Sequence, residues 1–125
     1  MTQSPAHLAV EFEDLPTLRE LLDNGHSVED PDEHGWTLLH HAIDVEIDGH
    51  VQTGEPLHVD VTAYLLARGA DPLASSRRYV TALQQAESQR HWLAVEIIRA
   101  WLGQRAISEN RIKNDASGGG APAPG

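Results

Sequence analysis

Apolar residues along this chain return at helical spacing, in blocks that fall into pairs. Leu15, Leu18, Leu21 and Leu22 form an i, i+3, i+6, i+7 stripe, and Gly25 follows it as a helix stop. Ahead of that stripe, Ser4-Pro5 reads as an N-cap and a first helical residue. Leu8, Val10 and Phe12 are the predicted apolar side of this first helix, with Ala6 and Ala9 small enough for close packing, and Asp14-Leu15-Pro16 breaks and restarts the chain. A second pair is predicted from Thr37, as cap, through Leu38, Leu39, Ala42 and Ile43, and then from Val59 through Leu66 to Gly69 and Pro72. A third pair covers Thr81 to about Ser88 and Trp92 to Leu102, with Val95, Ile98 and Leu102 as one buried face. From about Gln104 the pattern fades, and residues 117–125 are Gly, Ala, Pro and Ser alone, a composition that buries no core.

The pairs are also copies of one another. Thr37-Leu38-Leu39-His40-His41-Ala42 returns as Thr81-Ala82-Leu83-Gln84-Gln85-Ala86, and Leu21-Leu22-x-x-Gly25 returns as Leu65-Leu66-x-x-Gly69, both 44 positions on. Self-similarity at a fixed period marks a stacked repeat, whose units bury their apolar faces against their neighbours.

These residues resemble the ankyrin repeat family, whose unit is a turn or finger followed by two helices, with a T-P-L-H-x-A signature. Asp32-x-x-Gly35-x-Thr37-Leu38-Leu39-His40-x-Ala42 matches the opening of such a unit, with Leu38 in place of Pro. Leu65-Leu66-Ala67-Arg68-Gly69-Ala70-Asp71 matches its close, and Leu21-Leu22-Asp23-Asn24-Gly25 is the same close one repeat earlier. The resemblance implies an all-α ankyrin-repeat helical solenoid over residues 4–103, three stacked helix-turn-helix repeats at about 4–31, 32–74 and 75–103. Residues 104–125 are then a partly disordered tail. It further implies that the His40 imidazole bridges backbone groups of adjacent turns.

Three departures stand out. The 44-residue spacing exceeds the usual period by about 11 residues, and the excess lies between Ile43 and Val59. In this insertion, about 44–58, Val45, Ile47, Val51 and Leu57 alternate with polar residues, so a short hairpin or lid is expected, serving either as cover for the middle repeat or as a recognition loop. Tyr79 stands where the finger glycine Gly35 stood, so that turn differs. Gln84 replaces the histidine and Arg99 the second leucine, which makes the third repeat a polar terminal cap.

Composition narrows the chemistry. The chain of 125 residues has no cysteine, which excludes disulfides and thiolate metal sites. The absence of a leader-like segment and of any long apolar run places the expectation at a soluble, cytoplasmic protein with no membrane contact. A net charge of −10 argues against nucleic acid as a partner. Between Glu11 and Asp60 there are fourteen acids and one cation; between Val61 and Lys113 there are eight cations and four acids. Either this is a solvated surface, or the acidic front half is offered to a basic partner. Unlike halves also allow head-to-tail self-association, so the expected state is a monomer or a weak homodimer.

No nucleophile elbow, phosphate loop or dinucleotide fingerprint occurs, so neither an enzyme nor a cofactor is expected. Of eight histidines, six lie between His26 and His58, and His40, His41, His50 and His58 sit among Asp44, Asp48 and Asp60. Those residue types can ligate a divalent metal, yet no His-x-x-x-His or His-Glu-x-x-His spacing is present, and no metal site is assigned from the sequence. The candidate partner-binding residues lie on the fingers: Glu29, Asp30, Asp32, Glu33 and Trp36 on the first, Arg77, Arg78 and Tyr79 on the second. The resemblance adds outward positions of the first helices, His41, Asp44 and Gln85. The reading is a non-enzymatic module presenting an acidic finger and helix surface to a protein partner with a basic surface. The alternatives are an immunity- or antitoxin-like inhibitor of a basic toxin and a metal-binding protein using the histidine-rich middle.

Overall fold

Each predicted helix pair forms, and the pairs stack. The computed structural model describes residues 4–75 and 80–117, with side chains described to Gln104. The helices are α1 Pro5–Glu11 and α2 Leu15–Asp23, α3 Leu38–Thr53 and α4 Asp60–Ala67, α5 Ala82–Gln89 and α6 Trp92–Ser117. Within each repeat the two helices pack together; α3 packs on α1 and α5, and α4 packs on α6, so three units build one solenoid.

Local chemistry sets the helix starts. The Ser4 and Thr37 hydroxyls accept the backbone N–H of His7 and His40, three residues on, at 3.2 and 3.3 Å. Thr81 does the same for Gln84 at 3.0 Å, and an Asp14 carboxylate oxygen caps α2 by accepting from Thr17 N–H at 3.2 Å. At the other end of the outer helices, Gly25 and Gly69 take φ of 103° and 97°, the left-handed geometry that costs a side chain about 1 kcal/mol or more.

The core runs unbroken through the stack, from Val10 and Leu18 through Leu39, Ile43 and Leu65 to Ile98. Alanines at 6, 9, 42, 82 and 86 are buried, so the inner helices lie close together without long side chains between them. Leu8 and Phe12 differ from expectation. They stand 41% and 73% exposed, while Ala6, His7, Ala9 and Val10 face inward. The buried set follows an i, i+3, i+4 spacing onto α2 and α3, and Leu8 and Phe12 share the opposite side, turned away from both helices.

The insertion also differs. Its first ten residues continue α3, which turns what was expected to be a hairpin or lid into nearly three more turns of helix. Leu39, Ile43 and Ile47 are buried at i, i+4 spacing, a helical period that the local alternation around Val45 and Val51 obscured. Gly54, at φ 75°, ends the helix, and the His50 ring donates through Nδ1 to the Glu55 carbonyl at 2.6 Å. What remains is a six-residue turn, residues 54–59, clasped to the first repeat by a 3.0 Å contact between His58 Nε2 and Glu13 Oε1. At the far end, α6 runs on to Ser117, through the segment where the apolar pattern fades. No helix among the described residues is long and apolar enough to cross a membrane.

Candidate functional site

Stacked repeats meet along the starts of their inner helices, and the polar groups there determine what the surface can do. At the junction of the second and third repeats, His40 is committed to structure. Its Nδ1 accepts from the Thr37 N–H at 3.3 Å and the Thr37 hydroxyl at 2.8 Å, closing a capping box. Its Nε2 then carries the proton and donates to the Val80 carbonyl at 2.9 Å, one repeat on. Burial pushes the His40 pKa down, which holds this neutral tautomer. In the third repeat Gln84 Oε1 accepts from Thr81 N–H at 2.9 Å, so the glutamine rebuilds the box that histidine makes in the second.

Deeper in the same junction lies a buried polar cluster. Glu46, 1% exposed, accepts from the backbone N–H groups of Val61 and Thr62 at 2.9 and 3.1 Å and from the Thr62 hydroxyl at 2.6 Å. Its fourth partner is His91 Nε2 at 2.8 Å, while His91 Nδ1 accepts from Ala94 N–H at the start of α6 at 3.2 Å. One carboxylate of α3 thus caps α4 from inside the core and orients the residue that caps α6.

Above this cluster α5 and the end of the first finger enclose a groove of about 280 Å³, lined by Trp36, Val80, Gln84, Gln85, Ser88 and Gln89. Gln85 is 7% exposed, and its amide is held in one orientation: Nε2 donates to the His40 carbonyl at 2.9 Å and to Gln89 Oε1 at 3.1 Å. Gln89 is oriented in turn by donating to Asp44 Oδ1 at 2.9 Å. Gln85 Oε1 is left with no hydrogen-bond partner among the described residues. A buried acceptor without a donor is costly, and His58 Nδ1 shares that condition among the described residues.

At the junction of the first and second repeats the same helix position behaves differently. Ser4-Pro5-Ala6-His7-x-Ala9 is a further copy of the signature, 33 positions before Thr37, so His7 is the counterpart of His40. Its ring makes no capping box. Nε2 lies 2.8 Å from the Asp30 carbonyl, and Nδ1 lies 3.1 Å from Nδ1 of His41. A carbonyl only accepts, so His7 carries its proton on Nε2 and takes the His41 Nδ1–H into its lone pair. His41 Nε2 faces Glu11 Oε1 at 3.7 Å. Burial, then the neighbouring His7, pushes the His41 pKa down against the pull of Glu11, Asp32 and Asp44.

The candidate residues read from the sequence fall into two groups. Trp36 lines the groove and stacks on His40 with ring centroids 6.4 Å apart, and Asp44 belongs to the amide chain beside it. Glu29 ties the two fingers together by accepting from Asp71 N–H at 2.7 Å, and burial pushes its carboxyl pKa up. Asp32 organises the first finger, accepting through Oδ1 from His34 and Trp36 N–H at 2.8 and 3.0 Å. Glu33 is exposed at the tip, and Asp30 acts through its backbone carbonyl. His41, read from the sequence as an outward position, is 6% exposed and faces His7. Arg77, Arg78 and Tyr79 lie outside the described residues. The histidines of the middle segment do not converge: His40, His50 and His58 each have separate partners. Sequence reasoning missed His7, Glu46 and His91. The 33-residue offset exposes the first, while the other two carry no local signal.

Capped helix pairs, fingers at their joints and a groove along the inner helices define a repeat-built binding scaffold. The chain belongs to the ankyrin repeat family. A model described as ankyrin repeats (many copies) matches residues 6–52, and an ankyrin repeat model matches residues 34–77. Among solved structures, the chain is similar to the crystal structure of the ankyrin repeat domain of Bcl-3, described as a unique member of the IkappaB protein family. The TM-score is 0.65 and the identity 23%, covering 77% of this chain and 38% of that one. At that identity the likeness concerns the fold. No curated protein matches the chain.

Proposed function

We propose that this chain is a protein-binding module whose recognition surface is the groove between Trp36 and α5, flanked by the acidic first finger. Ankyrin repeats serve as protein–protein interaction modules, and the observation that carries this placement is the groove itself, walled by half-buried Trp36 and exposed Val80 and bordered by the ordered amide chain of Gln85, Gln89 and Asp44. A partner segment laid in the groove packs on Trp36 and Val80, and a basic side chain on it is favoured by Asp44 and Glu33. The stack and the first finger are ordered before binding, so association there costs little further conformational entropy. Charge complementarity speeds encounter and makes it salt-sensitive.

A photo-crosslinking residue at the exposed groove position Ser88 tests this, with one at Arg19 on α2 as the opposite-face control. The expected result is a stoichiometric protein partner crosslinked from Ser88, weakened by salt and by the Glu33→Lys/Asp44→Lys double variant. A partner captured from Arg19 and not from Ser88, or one indifferent to both charge reversals, sinks the placement.

A further inference from the structure

We propose that His7, His41 and Asp32 form a divalent transition-metal site, of the kind zinc occupies, at the junction of the first two repeats. Taking one ligand atom from each, the three residues gather within 4.8 Å of one another, with both histidines buried and Asp32 half-buried. The two Nδ1 atoms are 3.1 Å apart. Two nitrogens on a tetrahedral zinc, each at 2.0–2.1 Å, sit about 3.3 Å apart, so the imidazoles need open by only a few tenths of an ångström.

The surroundings have the features of a supported ligand set. A metal-bound histidine characteristically donates its other ring N–H to a carbonyl or carboxylate, which fixes its orientation. His7 already does so, from Nε2 to the Asp30 carbonyl at 2.8 Å, and that bond leaves Nδ1 as a lone pair. His41 Nε2 faces Glu11 Oε1 at 3.7 Å. When a metal takes His41 Nδ1, the proton there moves to Nε2 and finds that carboxylate, so neither ring has to lose a proton to solvent. Asp32 is held through Oδ1 by two backbone N–H groups, which leaves its carboxylate with further lone pairs to give.

Comparison within the chain separates this cluster from ordinary repeat architecture. His40, at the same helix position as His7, spends both ring nitrogens on backbone groups of its own and the next turn. His7 gives up its own capping box to face another imidazole. The residues that follow the signature position are Leu8, His41 and Gln85, so the pairing of His7 with His41 is particular to this junction. The three ligands come from α1, the first finger and α3, and a bound ion would pin the acidic finger to the stack. A fourth coordination position remains for water or for a donor from a partner.

Titration of the purified full chain with ZnCl2 against a competing chromophoric chelator tests the site. One zinc per chain is expected, with affinity reduced more than about tenfold by His41→Gln and by Asp32→Asn, and unchanged in the His50→Gln/His58→Gln double variant. Asp32→Asn keeps the Oδ1 acceptor for the finger amides, so it separates ligand loss from misfolding. In the wild type, zinc is expected to shift the imidazole nitrogen resonances of His7 and His41 and to leave those of His40 in place. Absence of stoichiometric binding, or binding that survives both ligand variants or follows His50 and His58, overturns the proposal.

Discussion

The two junctions of this stack use one helix position in opposite ways. Between the second and third repeats, His40, Glu46 and His91 are saturated with hydrogen bonds, each ring nitrogen and carboxylate oxygen matched to a partner. Between the first and second, His7 and His41 share one proton between two Nδ1 atoms and gather Asp32 beside them. Saturation makes the buried network of this joint rigid, so that what the junction presents to a partner is the groove above it. The unsaturated joint keeps lone pairs close to an exposed finger. A repeat scaffold supplies the position; the residue that the neighbouring helix presents there determines whether the imidazole holds the backbone or stands ready for a ligand.

Disrupting the saturated joint has the largest expected effect. Glu46→Ala removes four accepted hydrogen bonds and leaves two α4 N–H groups, a hydroxyl and the His91 ring unpaired in the core. A loss of about 3–5 kcal/mol is expected, measured by urea unfolding. A loss below about 1 kcal/mol contradicts the idea that this cluster joins the second and third repeats.

Replacing His40 sharpens the contrast at an intermediate scale. His40→Ala leaves the Thr37 N–H and the Val80 carbonyl unpaired and is expected to cost about 2–3 kcal/mol. His40→Gln imitates the capping box that Gln84 already makes, so it loses mainly the bond to Val80, about 1 kcal/mol. Equal losses for the two variants, read as thermal midpoints, argue against separate roles for the two ring nitrogens.

The smallest effect concerns pH. Burial raises the Glu29 carboxyl above its ordinary range, although Asp71 N–H hydrogen-bonds its charged form. A raised folded value means that Glu29 contributes stability below its unfolded pKa and loses that contribution as pH rises through the folded one. Glu29→Gln keeps an acceptor for Asp71 and never ionises. Relative to wild type, the variant should therefore gain stability between pH 4 and pH 7, followed by paired denaturant melts. No change in the difference across that range assigns the carboxyl an ordinary solvent environment.

Much of the fold was legible because its determinants are local. Thr37 and Thr81 cap, Gly25 and Gly69 stop, and leucines at helical spacing bury. The acidic finger was legible as well, and its internal bonds through Asp32 follow from a short Asp-x-x-Gly-x pattern. The length of α3 was not. Polar residues at Asp44, Asp48 and Gln52 mixed with Val45 and Val51 gave an alternation that imitates a strand, and only packing against α4 and α5 selects the helical reading through Ile43 and Ile47.

The sequence by itself determined the repeat, the number of units, the helix boundaries at capped ends and the excess of acid in the front half, since each is a property of neighbours within a few residues or of a count. Tertiary structure decided which polar side chains meet. His7 and His41 are 34 residues apart, Glu46 and His91 are 45 apart, and Gln85 reaches the carbonyl of His40 across the same 45 residues. Those distances close only when the repeats stack. The stacking is driven by apolar burial that is indifferent to which polar group lies at the rim, so the chemistry of each joint becomes readable only once the helices stand side by side.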